Sequence, residues 1–129
     1  WYNRPFKFRA LKLKHASSCF GYRLEIDSKV ISFCTDTGYC DEAIELSRGA
    51  DLLISECAYL SGQENKSWPH LNPELAARLA KEAGVKRMAL MHFDAHAYKS
   101  LSARRDAGNI ARKIFKNTFS AEDNMAIKV

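Results

Sequence analysis

Apolar and basic residues alternate through Phe-Lys-Phe-Arg-Ala-Leu-Lys-Leu-Lys at positions 6–14. A period near two marks a half-exposed strand. It sets Phe6, Phe8, Leu11 and Leu13 inward, with one slip near Ala10. His15-Ala16-Ser17-Ser18 reads as the turn that ends it. Alternation resumes over 21–26, pauses at Asp27-Ser28-Lys29 and continues through Val30-Ile31-Ser32-Phe33-Cys34. Two such runs across a short polar break predict a hairpin, which stops at Thr35-Asp36-Thr37-Gly38.

Beyond residue 40 the period changes. Residues 41–49 predict a short helix, with Asp41 and Glu42 in its first turn and Gly49 as its stop. Residues 51–56 read as a strand and 61–72 as a polar loop. Asn72 suits an N-cap, Pro73 the first helical position and Glu74 the positive helix end. That helix runs to about residue 83 on a stripe of Leu75, Ala76, Leu79, Ala80 and Ala83, and Gly84 closes it. Residues 87–91 form a strand ending at His92. A last helix covers 100–116, with Ala107, Ile110, Ala111, Ile114 and Phe115 at helical spacing. Its other face carries Arg104, Arg105, Arg112, Lys113 and Lys116. Residues 125–129 predict a closing strand. Strands alternating with helices argue for parallel pairing, and the opening hairpin adds an antiparallel portion. The expected class is α/β, a mixed sheet with flanking helices in a single domain over residues 1–129.

Length and composition narrow the class further. The chain has 129 residues, enough for one sizeable core, and its 47% hydrophobic and 27% charged residues exclude disorder over the whole chain. No window of 18 uninterrupted apolar residues exists, so no membrane contact is expected. The start lacks the pattern of a secretory signal, which points to a cytoplasmic protein. It also lacks an initiator methionine, so part of the gene product is expected upstream. The net charge is +5, distributed as +4 over residues 1–40, −3 over 41–98 and +4 over 99–129. Basic ends weakly favour a polyanionic partner, and a solvated surface explains them as well. Cys19, Cys34, Cys40 and Cys57 lack paired CxxC spacing, so free cysteines in a reducing compartment are expected.

Chemistry concentrates at strand ends. His15 follows the first strand, Asp36 the third, and His92 the strand over 87–91. Strand ends open onto loops, where α/β sheets place their ligands. Two imidazoles and a carboxylate suit Zn²⁺, and also Mn²⁺ or Fe²⁺. Each residue has a plainer reading: His15 as a surface residue at a strand end, Asp36 in an Asx-turn, His92 as a core histidine. His70, ahead of an N-cap, reads either as a surface residue or as a catalytic one. His96 has less support. Glu56 and Asp94 are candidates for carboxylates that orient a ligand histidine.

Several stretches, in order, carry a resemblance. They are His15 with Gly21-Tyr22-Arg23-Leu24-Glu25, Phe33-Cys34-Thr35-Asp36-Thr37-Gly38, Gly49-Ala50-Asp51-Leu52-Leu53-Ile54-Ser55-Glu56, His70-Leu71-Asn72-Pro73-Glu74-Leu75, and Gly84 through Phe93. Together they resemble the C-terminal half of the metallo-β-lactamase fold, in the branch of ribonuclease Z and related phosphodiesterases. Residues 121–127 resemble the closing strand of such domains. The resemblance implies half of an αββα sandwich and a hydrolase that cleaves phosphodiesters with a metal-bound hydroxide. It implies two divalent ions in the complete enzyme, with Asp36 bridging them and His15 and His92 each completing one ligand set. His70 falls at the histidine that assists the scissile phosphate or leaving group, and Glu56 at an acid behind the metal ligands.

The departures matter too. The family's His-x-His-x-Asp-His loop, which belongs to the N-terminal half, does not occur in these residues, and Asp94 stands where the RNA-processing branch often has serine. Three ligands do not coordinate two ions, so weak or no metal binding and little hydrolysis are expected of this chain alone. The expected partners are the missing N-terminal half or a second copy covering an apolar sheet face, helped by the aromatic residues 1–8, and an RNA or other phosphodiester substrate. The basic helix over 100–116 is a candidate for holding a phosphate backbone. The alternative is a noncatalytic half-fold module, dimeric or nonspecifically binding nucleic acid.

Overall fold

The computed structural model describes residues 5–129. Strands β1 (Phe6–Lys12), β2 (Phe20–Ile26), β3 (Lys29–Cys34), β4 (Leu52–Glu56), β5 (Met88–Met91) and β6 (Thr118–Ser120) form one sheet in chain order. Helices α1 (Asp41–Ser47), α2 (Pro73–Ala83) and α3 (Leu101–Arg112) join its parallel strands. β1, β2 and β3 pair antiparallel, and β3 to β6 pair parallel. The sheet is mixed and flanked by helices, as the pattern predicts. Since β1 and β3 both oppose β2, β1 runs the same way as β3, β4 and β5. Their C-terminal ends therefore lie along one rim.

Local signals explain most boundaries. The β2–β3 turn has two central residues, Asp27 and Ser28, both left-handed (φ 48° and 61°), between the paired Ile26 and Lys29. Positive φ at both positions matches the right-handed twist of a hairpin. Asn72 caps α2 by accepting the Leu75 N–H at 2.9 Å, and Gly84 ends it at φ 64°. Ser100 caps α3 through the Ala103 N–H at 3.1 Å. The helices cover one sheet face, where Leu13, Leu46, Leu53, Leu79, Met88 and Leu90 form the core.

Four expectations are corrected. Phe6 and Phe8 do not face that core; they are 59% and 60% exposed. The slip near Ala10 does not occur, because β1 and β2 pair without a break from Phe6↔Ile26 to Lys12↔Phe20. With strict alternation, Arg9 reaches Glu45 on α1 while Phe6 and Phe8 fall on the opposite face. Residues 1–4 of the aromatic segment expected to seal that face lie outside the described residues.

The closing strand is not at 125–129. β6 is Thr118–Ser120, paired with Met88, Ala89 and Leu90. Its polar sequence hides it: Thr118 and Ser120 are buried because their hydroxyls donate to the carbonyls of Phe115 and Arg104. The more apolar tail 125–129 makes no strand, although Arg87 holds the Lys128 carbonyl. Helix α3 also ends at Arg112 rather than 116. The next turn tightens, with the Ile114 and Phe115 N–H groups both donating to the Ala111 carbonyl.

Candidate metal centre

The shared rim brings the strand-end residues together. His15 sits in the loop after β1, Asp36 just after β3, and His92 just after β5. Asp36 and His92 adopt left-handed backbone, at φ 53° and 51°. Neither is glycine, and such conformations in L-residues collect where a site dictates the backbone. The Gly38 N–H donates to the Lys14 carbonyl at 2.8 Å, which ties the Asp36 loop to the His15 loop. His70 comes from the loop between β4 and α2.

His15, Asp36 and His70 each offer one ligand atom, all within 4.8 Å of one another. The His15 and His70 rings are 5.0 Å apart between centroids, and His70 lies 5.9 Å from His92 in a stacked arrangement. His92 Nε2 stands 3.0 Å from Asp36 Oδ1. All four predicted site residues thus converge. The structure draws His70 closer into the group than its assigned catalytic role requires, and places His92 against Asp36 at the edge.

Glu56 organises the site from below. Its side chain is fully buried at the end of β4 and accepts from His70 Nδ1 through both oxygens, at 2.9 and 3.0 Å. It also accepts the N–H groups of Thr37 (2.5 Å), Leu71 (3.2 Å) and Ala58 (3.3 Å). Burial pushes its carboxyl above the usual range, while the Thr37 N–H and His70 pull it down. The contacts to Thr37, Ala58 and Leu71 all come from N–H groups, which the carboxyl oxygens accept. The bond to His70 consumes its Nδ1 and leaves Nε2 as the ring's other nitrogen.

Glu56 therefore orients a histidine, as its position suggests. Asp94 does not: its Oδ1 accepts the N–H groups of His96 (2.7 Å) and Ala97 (3.2 Å), which hold its carboxyl below the usual range. His96 is exposed and joins no cluster among the described residues. On α3, Arg105 pairs with Glu122 at 2.8 Å, Arg112 donates to the Thr118 carbonyl at 3.0 Å, and Arg104 lies 5.8 Å over the Phe93 ring. The fold uses these arginines internally. The rings of Tyr59 and Trp68 also lie close to His70, at 5.4 and 6.4 Å, although periodicity along the chain gives neither a place in the site. The run Trp68-Pro69-His70 was the available signal.

The donor set fits a divalent metal. His15 Nε2 is buried and has no hydrogen-bond partner, while Nδ1 accepts the Ser17 N–H at 3.2 Å. A buried ring nitrogen left unpaired beside a carboxylate and a second imidazole has the composition of a zinc-type site. The four cysteines are free and supply no competing site, as expected.

Comparison with known proteins agrees with this arrangement. Residues 4–93 match the Beta-lactamase superfamily domain. The chain belongs to this family. It is 34% identical over 122 residues to the "Probable metallo-hydrolase YhfI" of Bacillus subtilis (strain 168), covering 95% of this chain and 46% of that protein. The crystal structure of YhfI, a metallo-β-lactamase fold protein, superposes with a TM-score of 0.80 at 31% identity, over 92% of this chain and 47% of that one. Ribonuclease Z of Synechococcus sp. (strain CC9605) is 38% identical over 102 residues, 77% of this chain and 32% of that protein. The structure of human tRNase Z, short form, gives a TM-score of 0.69 at 26% identity, over 98% of this chain and 44% of that one. The chain spans less than half the length of these relatives. Its sheet and helices are those of part of the αββα sandwich.

Proposed function

We propose that this chain supplies the C-terminal ligands and the proton-handling dyad of a metal-dependent phosphodiester hydrolase. The observation that carries the reading is the meeting of four side chains at one rim: His15, with Nε2 buried and unpaired, Asp36, His92 with Nε2 3.0 Å from Asp36 Oδ1, and His70 beside them. His15, Asp36 and His92 would hold divalent metal, Zn²⁺ foremost, with Asp36 able to offer one oxygen to each of two ions. When bound, such ions polarise the phosphoryl oxygens and lower the pKa of a water. His70 stands with Nδ1 on Glu56 and Nε2 free to hydrogen-bond the leaving oxygen and give it a proton. The buried Glu56 carboxyl fixes the orientation of the ring. Likeness to ribonuclease Z supports a phosphodiester as substrate. The test is bound-metal analysis of the intact protein, with hydrolysis of bis(p-nitrophenyl) phosphate and of RNA measured on the same sample. Full metal content without turnover of either substrate overturns the reading.

The sheet's second face supports a companion proposal. Phe8, Tyr22, Leu24, Ile31, Phe33 and Ile54 line an apolar groove opposite the helices, and Phe8 stacks on Tyr22 at 5.5 Å. An exposed patch of this kind requires a cover. Because the chain spans 46% of YhfI, we assign that cover to the remaining half of the same domain. This chain alone is then expected to hydrolyse little, and to self-associate when no other half is present. Light scattering that shows a stable monomer with this face open removes the proposal.

A further inference from the structure

A cavity of about 570 Å³ opens beside His70, and Lys14, Lys66 and Arg78 line it. The three cations arrive from separate segments: the loop after β1, the loop before α2, and α2 itself. Glu64 is the one acid in the lining. Among the described residues, no carboxylate lies within ion-pair distance of Lys14, Lys66 or Arg78. The arginines of α3 are engaged within the fold, whereas these cations have no ion pair among the described residues, and Arg78 acts on the Tyr39 hydroxyl through its charge. Unpaired positive charges around a concavity attract an anion, and one that continues from the metal centre would be part of the same substrate.

Trp68, next in the chain to Pro69 of the cavity lining, is 51% exposed. Its ring meets His15 edge-on at 5.2 Å. The turn that presents it is fixed: Asn65 Oδ1 accepts the N–H groups of Ser67 (2.9 Å) and Trp68 (3.2 Å), and the Tyr59 hydroxyl donates to the Trp68 carbonyl. A large aromatic held open at a site rim is a platform on which a base can stack.

We propose that the cavity is a subsite for the nucleotide adjoining the scissile phosphate, whose base stacks on Trp68 and whose own phosphate is held by Lys14, Lys66 and Arg78. The inference rests on the phosphodiester reading of the metal centre. It makes the preferred substrate a nucleic-acid strand rather than an isolated phosphodiester.

The experiment uses the intact protein and dinucleotides with and without a terminal phosphate, at either end. For one end, the extra phosphate is expected to raise kcat/KM on the order of 10-fold, chiefly through KM, and Lys14→Ala/Lys66→Ala/Arg78→Ala is expected to erase that gain. Trp68→Ala is expected to lower kcat/KM for both dinucleotides on the order of 10-fold relative to bis(p-nitrophenyl) phosphate. A second readout needs no turnover. A nucleoside monophosphate should quench tryptophan fluorescence of the metal-free protein, the quench should vanish in Trp68→Phe, and the triple variant should need roughly 10-fold more ligand. Lys66→Gln, a single change in an exposed loop, guards against misfolding of the triple variant and should weaken the quench in the same direction. A terminal-phosphate gain that survives in the triple variant, or a quench indifferent to all these changes, overturns the subsite. If bis(p-nitrophenyl) phosphate is not hydrolysed at all, the phosphodiester reading fails, while the fluorescence titration still decides the subsite.

Discussion

Glu56 grips His70 Nδ1 with both carboxylate oxygens, at 2.9 and 3.0 Å, across 14 residues of sequence. The pair joins the end of a central strand to the loop that enters α2. It also sets the geometry on which the proposed chemistry depends.

Glu56→Gln keeps the shape but places an amide N–H₂ among N–H donors. The loss of charge-assisted bonds is expected to destabilise the fold by roughly 1–3 kcal/mol, read as a lower urea midpoint. Hydrolysis should fall on the order of 10- to 100-fold, the range seen when a group orienting a site histidine is lost. An unchanged midpoint would show that the carboxylate is not held as described.

His70 and Asp36 are separable by metal content. Asp36→Ala is expected to lose bound metal and to lower activity on the order of 100-fold or more. Its fold should survive, because the side chain is 41% exposed. His70→Ala is expected to keep metal near the parent's stoichiometry while losing turnover on the order of 100- to 10,000-fold, as a general acid would. Elemental analysis of both variants decides. Loss of metal from His70→Ala would make His70 a ligand instead.

Gly38 lies where the Asp36 loop meets the His70 loop. A Cβ there would stand 2.8 Å from Pro69 Cβ, so Gly38→Ala must push Pro69 and its neighbour His70 aside. A shift of about 1 Å in a catalytic group can lower rate on the order of 100-fold. The expected signature is a large fall in kcat with a modest loss of stability, about 1–3 kcal/mol for overpacking. Wild-type kcat in this variant would show that the two loops move independently.

Asp51 supplies a pH test of the fold. Lys86 Nζ at 2.7 Å and the Val30 N–H at 2.8 Å hold its carboxyl below the usual range. A depressed folded pKa adds stability above the ordinary aspartate value, about 3.9, and this is lost as pH falls through the folded value. Asp51→Asn should therefore melt below the parent at pH 7, and the gap should close below about pH 4. A gap that is the same at pH 7 and pH 3 would contradict this linkage.

Most of the fold was legible in local pattern. The N-cap Asn72, Pro73, the stop at Gly84 and the turn at Asp27-Ser28-Lys29 act on their own neighbours, so their effect can be read without a structure, although pairing with Ile26 moves Lys29 from the turn into β3. His15, Asp36, His70 and His92 were each visible at the end of an element or ahead of a cap, and the family resemblance assigned them a common site.

What the chain by itself determined is therefore the order of its elements, its class and its candidate ligands. Tertiary structure decided which atoms meet and which faces stay open. The face that Phe6 and Phe8 occupy depended on unbroken pairing with β2, the identity of β6 on hydroxyl groups satisfied by α3 and the turn after it, and the union of Glu56 with His70 on a loop folding back over a strand end. Caps and turns are contacts between near neighbours in sequence; register, sheet edges and ligand clusters are contacts between distant ones, and their energy exists only once the chain has closed on itself.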